Sequence, residues 1–280
     1  MNLRPFVAAA FVVLVPAALT GCPDAEMTTA EAGQAIEESG SEAQASAAIN
    51  TTIDITTNFT IGQAVEKAAD ELKTFVETQL PCAEVTLANH TLTIEYGVNP
   101  GNCTYKGQTY TGTHTVSISK DDAGEVVVEH TWDKLQNQRV SVSGTATVTW
   151  NLQDPSRHVV HDLTWTRLKD GRTGEGTGDV VQKPLAAGLK EGIVVDGARQ
   201  WSGQKGDWEL AIDNVEMRWA DPIPQAGSYE LTNPNGKTAT LSFTRIDADT
   251  IEADLVTGKK TYKFLVSKDG SVQADSGNGS

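Results

Sequence analysis

Apolar and polar residues alternate along most of the chain beyond Gly101. The clearest run spans residues 140–152, where every second residue from Val140 is apolar or glycine and those between are Ser, Thr or Asn. A period of two predicts strands with one buried face. Turn signals such as Asp154-Pro155 separate the runs, and no helical pattern lies between them, which excludes the crossovers that parallel strands need. The pattern predicts a mainly β fold, a sandwich-like antiparallel meander of repeated hairpins.

One helical pattern precedes these strands. Thr60 and Gln63 have the spacing of a capping box at a helix start, and Pro81 marks the helix end. Apolar residues recur between them at spacings of three and four: Ile61, Val65, Ala68, Leu72, Phe75, Val76 and Leu80. This spacing predicts one N-terminal amphipathic helix that packs its apolar stripe on its own domain.

A weak internal repeat combines glycines with tryptophans. Centring the predicted hairpins on their turns places Gly112 opposite Trp132 and Gly144 opposite Trp165, and a third hairpin brings two further rings together. Rings on an exposed face would form a sugar-stacking platform, whereas rings on the inner face would be core. The candidates for ligand stacking are Trp132, Trp165, Trp208 and Trp219.

Residues 22–57 are acidic and poor in large apolar side chains. No Lys or Arg occurs between Cys22 and Ala64, whereas seven acids do. Such a segment cannot bury enough surface to fold alone, which predicts an acidic flexible tether over residues 22–57, and a weak helix around residues 29–38 would shorten it. Its charge predicts repulsion from an anionic membrane surface.

Two further segments follow the predicted tether. Residues 58–222 are predicted to hold the helix and the antiparallel meander. Pro222 and Pro224 then punctuate the chain, and four short apolar runs follow within residues 223–275. These runs form either a small C-terminal β unit or a continuation of the sheet, and the pattern leaves both open.

The N-terminus carries a targeting pattern. Arg4 precedes an apolar run over residues 6–19, which has the length of a secretory signal and is short for a membrane span. The run ends in Leu19-Thr20-Gly21-Cys22, which resembles the lipobox of bacterial lipoproteins. The resemblance implies a signal peptide over residues 1–21 and lipidation of Cys22. In that class an aspartate after the cysteine favours the inner membrane, and proline stands there instead, so we expect an envelope lipoprotein of the outer membrane.

Cys82 and Cys103 are the two cysteines that remain once Cys22 is lipidated. An exported protein most often bridges such a pair, and closing a loop of this length contributes about 3 kcal/mol on the chain-entropy account. A two-cysteine metal site is the alternative, and no nearby His-x-Cys or Cys-x-x-Cys spacing favours it. We therefore predict a Cys82–Cys103 disulfide.

Composition and charge narrow the function classes. The chain has 37 acidic and 22 basic residues, a net charge of −15. This balance argues against a nucleic-acid partner, which needs clustered Lys and Arg. The hydrophobic share of 39% becomes ordinary once glycine is added, so the chain is not wholly disordered.

Three histidines raise the question of a metal. His114 and His130 face each other in the predicted hairpin, and His161 lies on the same apolar face of the next one. Three converging imidazoles can bind Zn²⁺ or Cu²⁺, but an amphipathic sheet face also accommodates them. Because no carboxylate or cysteine ligand stands at a fixed spacing, the sequence predicts no metal and no other cofactor.

Motifs for catalysis are weak. Ser117 and Lys120, like Ser202 and Lys205, have the Ser-x-x-Lys spacing, but that motif acts at a helix start and both copies fall among strands. We therefore predict a non-enzymatic binding or scaffolding role at the envelope through the β domain. The expected partners are the membrane, through the lipid anchor, and an envelope polysaccharide or protein. A metal-binding or hydrolytic envelope protein is the alternative.

Overall fold

The computed structural model describes residues 26–55, 65–105, 107–122, 124–151, 154–188, 191–218, 220–221, 223–268 and 271–274. These residues form two helices, α1 (Thr29–Ile55) and α2 (Val65–Gln79). They also form sixteen strands: β1 (Glu84–Ala88), β2 (Thr91–Tyr96), β3 (Thr104–Tyr105), β4 (Gln108–Thr109), β5 (Thr111–Lys120), β6 (Val126–Gln136), β7 (Val140–Asn151), β8 (Ser156–Arg167), β9 (Thr173–Pro184), β10 (Gly192–Gly203), β11 (Gly206–Arg218), β12 (Ala226–Thr232), β13 (Thr238–Arg245), β14 (Thr250–Thr257), β15 (Lys260–Ser267) and β16 (Val272–Ala274).

Fourteen of these strands form one sheet. Its order is β1-β2-β5 and then every strand in turn to β16, while β3 and β4 make a separate two-stranded hairpin. All neighbours in the sheet are antiparallel, because turns rather than helices join them. The predicted mainly β fold and its antiparallel meander are confirmed. Strands β12 to β16 extend this same sheet from β11, which answers the question left open for residues 223–275.

The strands bury one face and expose the other. Along β8 the buried and exposed residues alternate from Arg157 to Trp165. The predicted glycine partners of the rings are wrong by two residues, because Trp165 pairs with Val142 across its hairpin and Trp132 pairs with His114. Each turn is centred one residue away from the predicted position, and such a change moves every cross-strand partner by two residues.

Glycine is required at two points where neighbouring strands approach each other closely. Gly144 and Gly197 have φ angles of 143° and 133°. A β carbon would collide with the carbonyl oxygen of Asp162 at the first site and with that of Asp179 at the second. A glycine backbone adopts such angles without the steric cost that other residues meet.

Residues 29–55 are not a flexible tether but the 27-residue helix α1. The Thr28 hydroxyl accepts a hydrogen bond from the Glu31 amide at 3.2 Å, and the Glu31 carboxylate accepts one from the Thr28 amide at 2.7 Å. This capping box begins the helix. The buried side of α1 holds many small residues, namely Ala32, Ala35, Ser41, Ala45, Ser46, Ala48 and Thr52, together with larger ones such as Ile49 and Ile53.

The tether prediction is wrong because basic residues of the sheet and its turns form ion pairs with the acidic residues of this segment. Among the described residues, six ion pairs join this segment to the sheet and its turns, and four of them have N···O distances from 2.8 to 3.0 Å: Glu31–Lys237, Glu37–Arg172, Glu42–Arg199 and Asp54–Arg157. Further hydrogen bonds run from Trp132 in β6 to Thr52 and from Met27 to Thr257 in β14. These contacts run from Thr257 in β14 to Trp132 in β6, so this segment crosses the sheet between those two strands.

The predicted amphipathic helix and the disulfide are both confirmed. In α2 the residues Leu72 and Val76 are fully buried, and the helix packs on β1 of its own domain. Thr60 and Gln63 lie outside the described residues, so their capping box stays a prediction. Cys82 and Cys103 are bonded, with their α carbons 5.3 Å apart, and the bond fastens the end of α2 to the segment before β3.

Replacing Gly33 by alanine is expected to raise the free energy of unfolding by about 1 kcal/mol, the difference in helix propensity. Gly33 is exposed within α1, and a β carbon there meets no atom within 4 Å. Proline at the same position should lower the free energy of unfolding by about 3 kcal/mol or more. Urea denaturation of the three proteins measures both changes, and no effect of either would show that this segment is not helical.

Candidate functional site

A groove of about 430 Å³ lies between α1 and the buried face of the sheet. Its apolar lining comes from one side of α1 and from β11 to β13: Ile36, Ala43, Ala47, Leu210, Met217, Tyr229, Leu241 and Phe243. Ile36 is 44% exposed although it is a large apolar residue. Pockets for small molecules occupy roughly 300–1,000 Å³ and are mostly apolar, so this groove has a suitable size and lining.

The curvature of the sheet closes the far side of the groove. Asn137 and Arg139, from the turn between β6 and β7, line the same groove as Phe243 in β13. Seven strand spacings separate these strands, about 34 Å in a flat sheet. The sheet therefore bends around α1, and the helix forms the floor between its two flanks.

Three guanidinium groups line the groove, although the protein as a whole is acidic. Arg139, Arg199 and Arg218 stand against two acids, Glu42 and Asp221, so the lining has a net charge of +1 where the chain has −15. Arg218 is 3.5 Å from Glu191, and both groups are partly exposed. Arg139 is exposed and has no ion-pair partner within the described ranges. The groove is thus locally suited to an acidic group.

Arg199 is the most buried of these three cations. Its side chain is 10% exposed, and its Nη1 lies 3.0 Å from the Glu42 carboxylate. Burial opposes its charge, but Glu42 raises the pKa of Arg199 above the ordinary value, so the group stays cationic. Its buried Nε has no acceptor within the described structure. Because this nitrogen is buried, it does not face the groove, and the exposed Arg139 is the cation of the lining that a ligand would meet.

The histidines are buried, and the structure brings two of them together. His114 Nε2 lies 3.0 Å from His130 Nδ1, and the Tyr96 hydroxyl lies 3.4 Å from the other nitrogen of His114. His161 is also buried, with its ring against Gly178. Among the described residues no three potential ligands of the His, Cys, Asp and Glu types form a group, so His114, His130 and His161 are not assembled into a metal centre.

The tryptophan candidates lie in the core rather than on a binding surface. Trp132 and Trp208 are each 2% exposed, and Trp165 is 6% exposed. Trp219 lies outside the described residues. A ring that is almost fully buried presents no face to a sugar, so the stacking prediction is wrong for these three. They belong to the inner face, where Trp132 packs across Gly144 and Trp165 across Gly174.

The Ser-x-x-Lys motifs do not meet the geometry that the motif requires. Ser117 and Lys120 lie within β5, while Ser202 and Lys205 lie in β10 and the turn after it. Neither pair stands at a helix start, where the hydroxyl of such a motif acts.

The N-terminal targeting pattern, including Cys22, lies outside the described residues. Within those residues, neither helix has the length and apolarity needed to cross a bilayer.

Comparison with known proteins places no constraint on the site. No known protein family, curated protein or solved structure matches this chain. The sequence analysis did not predict the groove or its cations. It predicted a flexible tether where the structure has α1, and α1 forms the floor of the groove. The available signal was the recurrence of small residues at spacings of three and four, such as Ala32, Ala35, Ala45 and Ala48.

Proposed function

We propose that this protein is a lipid-anchored binding protein of the bacterial envelope whose groove holds an amphiphile with an acyl chain and an anionic head. The observation that carries the proposal is the groove beside α1, where an apolar wall meets the exposed guanidinium group of Arg139. The chain would contact Leu241 and Phe243, and the head would accept hydrogen bonds from Arg139. Binding of this kind requires no chemistry of the protein's own.

The envelope location rests on the sequence. The apolar run and the lipobox-like Leu19-Thr20-Gly21-Cys22 support lipidation at Cys22, and Pro23 supports the outer membrane. Several acyl chains give stable anchoring, since each buried CH₂ contributes about 0.8 kcal/mol. Cys22→Ser is expected to move the protein from the membrane fraction to the soluble fraction, and unchanged fractionation would contradict the anchor.

A photoactivatable fatty acid tests the groove. The full lipidated chain is placed in vesicles that contain a diazirine-bearing fatty acid, and after irradiation the modified peptides are identified by mass spectrometry. Labels are expected on α1 around Ala43 and on β11 to β13. Ala43→Trp fills the groove and should abolish this labelling, whereas Gly33→Trp, on an exposed part of the same helix outside the groove, should preserve it.

The head group is tested with the matching diazirine-bearing alcohol. The acid should label the groove more strongly than the alcohol, and Arg139→Gln should reduce that preference. Labelling that ignores Ala43→Trp would contradict the groove as the binding site. Equal labelling by acid and alcohol would contradict the anionic head.

A further inference from the structure

The two ends of the strands carry opposite charge. In an antiparallel meander successive turns alternate between the two ends of the sheet. The turns that follow β6, β8, β10, β12 and β14 lie at one end, which we call the basic edge. Its described residues include six bases, Arg139, Lys169, Arg172, Lys205, Lys237 and Lys259, and one acid, Asp170.

The opposite end of the strands is acidic. It consists of the turns that follow β5, β7, β9, β11, β13 and β15, and we call it the acidic edge. Its described residues include one base, Lys268, and eight acids, Asp121, Asp122, Glu125, Asp154, Glu191, Asp221, Asp247 and Asp249. Although the net charge of the chain is −15, the described residues of its basic edge and its acidic edge therefore carry charges of opposite sign.

The acids of the N-terminal segment neutralise only part of the basic edge. Glu31 pairs with Lys237, and Glu37 pairs with Arg172. Within the described part of the chain, the exposed side chains of four further bases make no ion pair: Arg139, Lys169, Lys205 and Lys259. These four charges remain available to an external anion.

The N-terminal segment also enters the fold at the basic edge. The Lys259 amide donates to the Glu26 carboxylate at 3.1 Å, and the Met27 amide donates to the Thr257 hydroxyl at 2.9 Å. Cys22 stands four positions before Glu26. A fully extended chain of four residues spans at most about 14 Å, so an anchor at Cys22 would keep this edge beside the headgroups.

We propose that the basic edge lies flat against an anionic lipid surface and that the acidic edge points away from it. This inference rests on the proposed lipid anchor at Cys22. Each base near such a surface strengthens the attraction by about fivefold, and salt screens the attraction beyond about 8 Å.

Fluorescent labels at the two edges test this orientation. The full lipidated chain, with its Cys82–Cys103 disulfide intact, receives a fluorophore at Gln204→Cys on the basic edge or at Ala187→Cys on the acidic edge. Vesicles contain phosphatidylglycerol with phosphatidylcholine, or phosphatidylcholine alone, together with headgroup spin labels that quench nearby fluorophores. We expect strong quenching at position 204 and weak quenching at position 187, in anionic vesicles only and at low salt.

Charge reversal supplies the matched control. Lys169→Glu with Lys205→Glu should weaken the attraction by about fivefold for each residue and lower quenching at position 204. Asp247→Lys on the acidic edge should leave that quenching unchanged. Equal quenching of both labels on protein that floats with the vesicles would overturn the orientation alone. Protein that does not float would overturn the anchor as well.

Discussion

Replacing Arg157 by alanine is expected to lower the free energy of unfolding by about 3–5 kcal/mol, because the change leaves a buried carboxylate without its cation. The Arg157 side chain is 4% exposed, and its Nη2 lies 3.0 Å from Asp54 of α1. Its Nε also donates to Gln182 at 2.6 Å. Urea denaturation followed by circular dichroism measures the loss.

An exposed pair and a double variant identify the cause. Asp154→Ala removes the surface pair with Lys183, whose side chains are 48% and 64% exposed for the Lys and the Asp, and should cost under about 1 kcal/mol. Asp54→Leu combined with Arg157→Met should cost less than Arg157→Ala alone, since no charge is left buried and unpaired. If Arg157→Ala costs no more than Asp154→Ala, α1 is not docked on the sheet.

Acidification is expected to destabilise the protein steeply below about pH 6.5, the ordinary pKa of histidine. Burial lowers the pKa of His114 to about 3 and that of His161 to about 4. Burial, with the neighbouring His114, also lowers the pKa of His130 far below its ordinary value. Below about pH 6.5 the unfolded chain therefore binds protons at these histidines, whereas the folded protein does not. The contribution of these histidines to the free energy of unfolding is fully present above pH 6.5. As the pH decreases below this value, the free energy of unfolding falls by about 1.4 kcal/mol per pH unit for each histidine, and by about 4 kcal/mol per pH unit for all three.

His161→Gln should remove about one third of this slope, because it removes one of the three histidines that bind a proton in the unfolded chain but not in the folded protein. The control is His158→Gln, since the His158 side chain is 46% exposed and lies beside Asp179 on the outer face. Unfolding free energies measured between about pH 4.7 and 6.3 avoid most of the carboxylate titration. A flat profile in the parent protein, or equal slopes for the two variants, would refute the buried neutral histidines.

The strands could be predicted because their information is local. Every second residue of β7 and β8 faces the interior. This alternation can be recognised within one short stretch of sequence, such as the one that contains Val140, Val142 and Ala146. The exact cross-strand partners could not be predicted, because an error of one position in the centre of a turn changes every cross-strand partner by two residues. That error placed Gly112 rather than His114 opposite Trp132.

The positions of the tryptophan and histidine rings could likewise be predicted only in part. Alternation placed Trp132, His114 and His130 on one apolar face, and the structure buries all three. The sequence could not say that a helix covers this face, so sugar stacking and metal binding both stayed open. The Trp132 indole donates to Thr52 of α1 at 3.0 Å, a contact 80 positions away in the chain.

By itself the sequence determined the antiparallel meander, the helix α2 and the Cys82–Cys103 bridge, since each follows from neighbouring residues or from a single pair of cysteines. Only the tertiary structure decided that the acidic N-terminal segment is a helix and that a groove lies beside it. Glu42 meets Arg199 across 157 positions and Asp54 meets Arg157 across 103. An acidic segment folds or stays extended according to the charges that surround it in space, and those charges come from strands far along the chain.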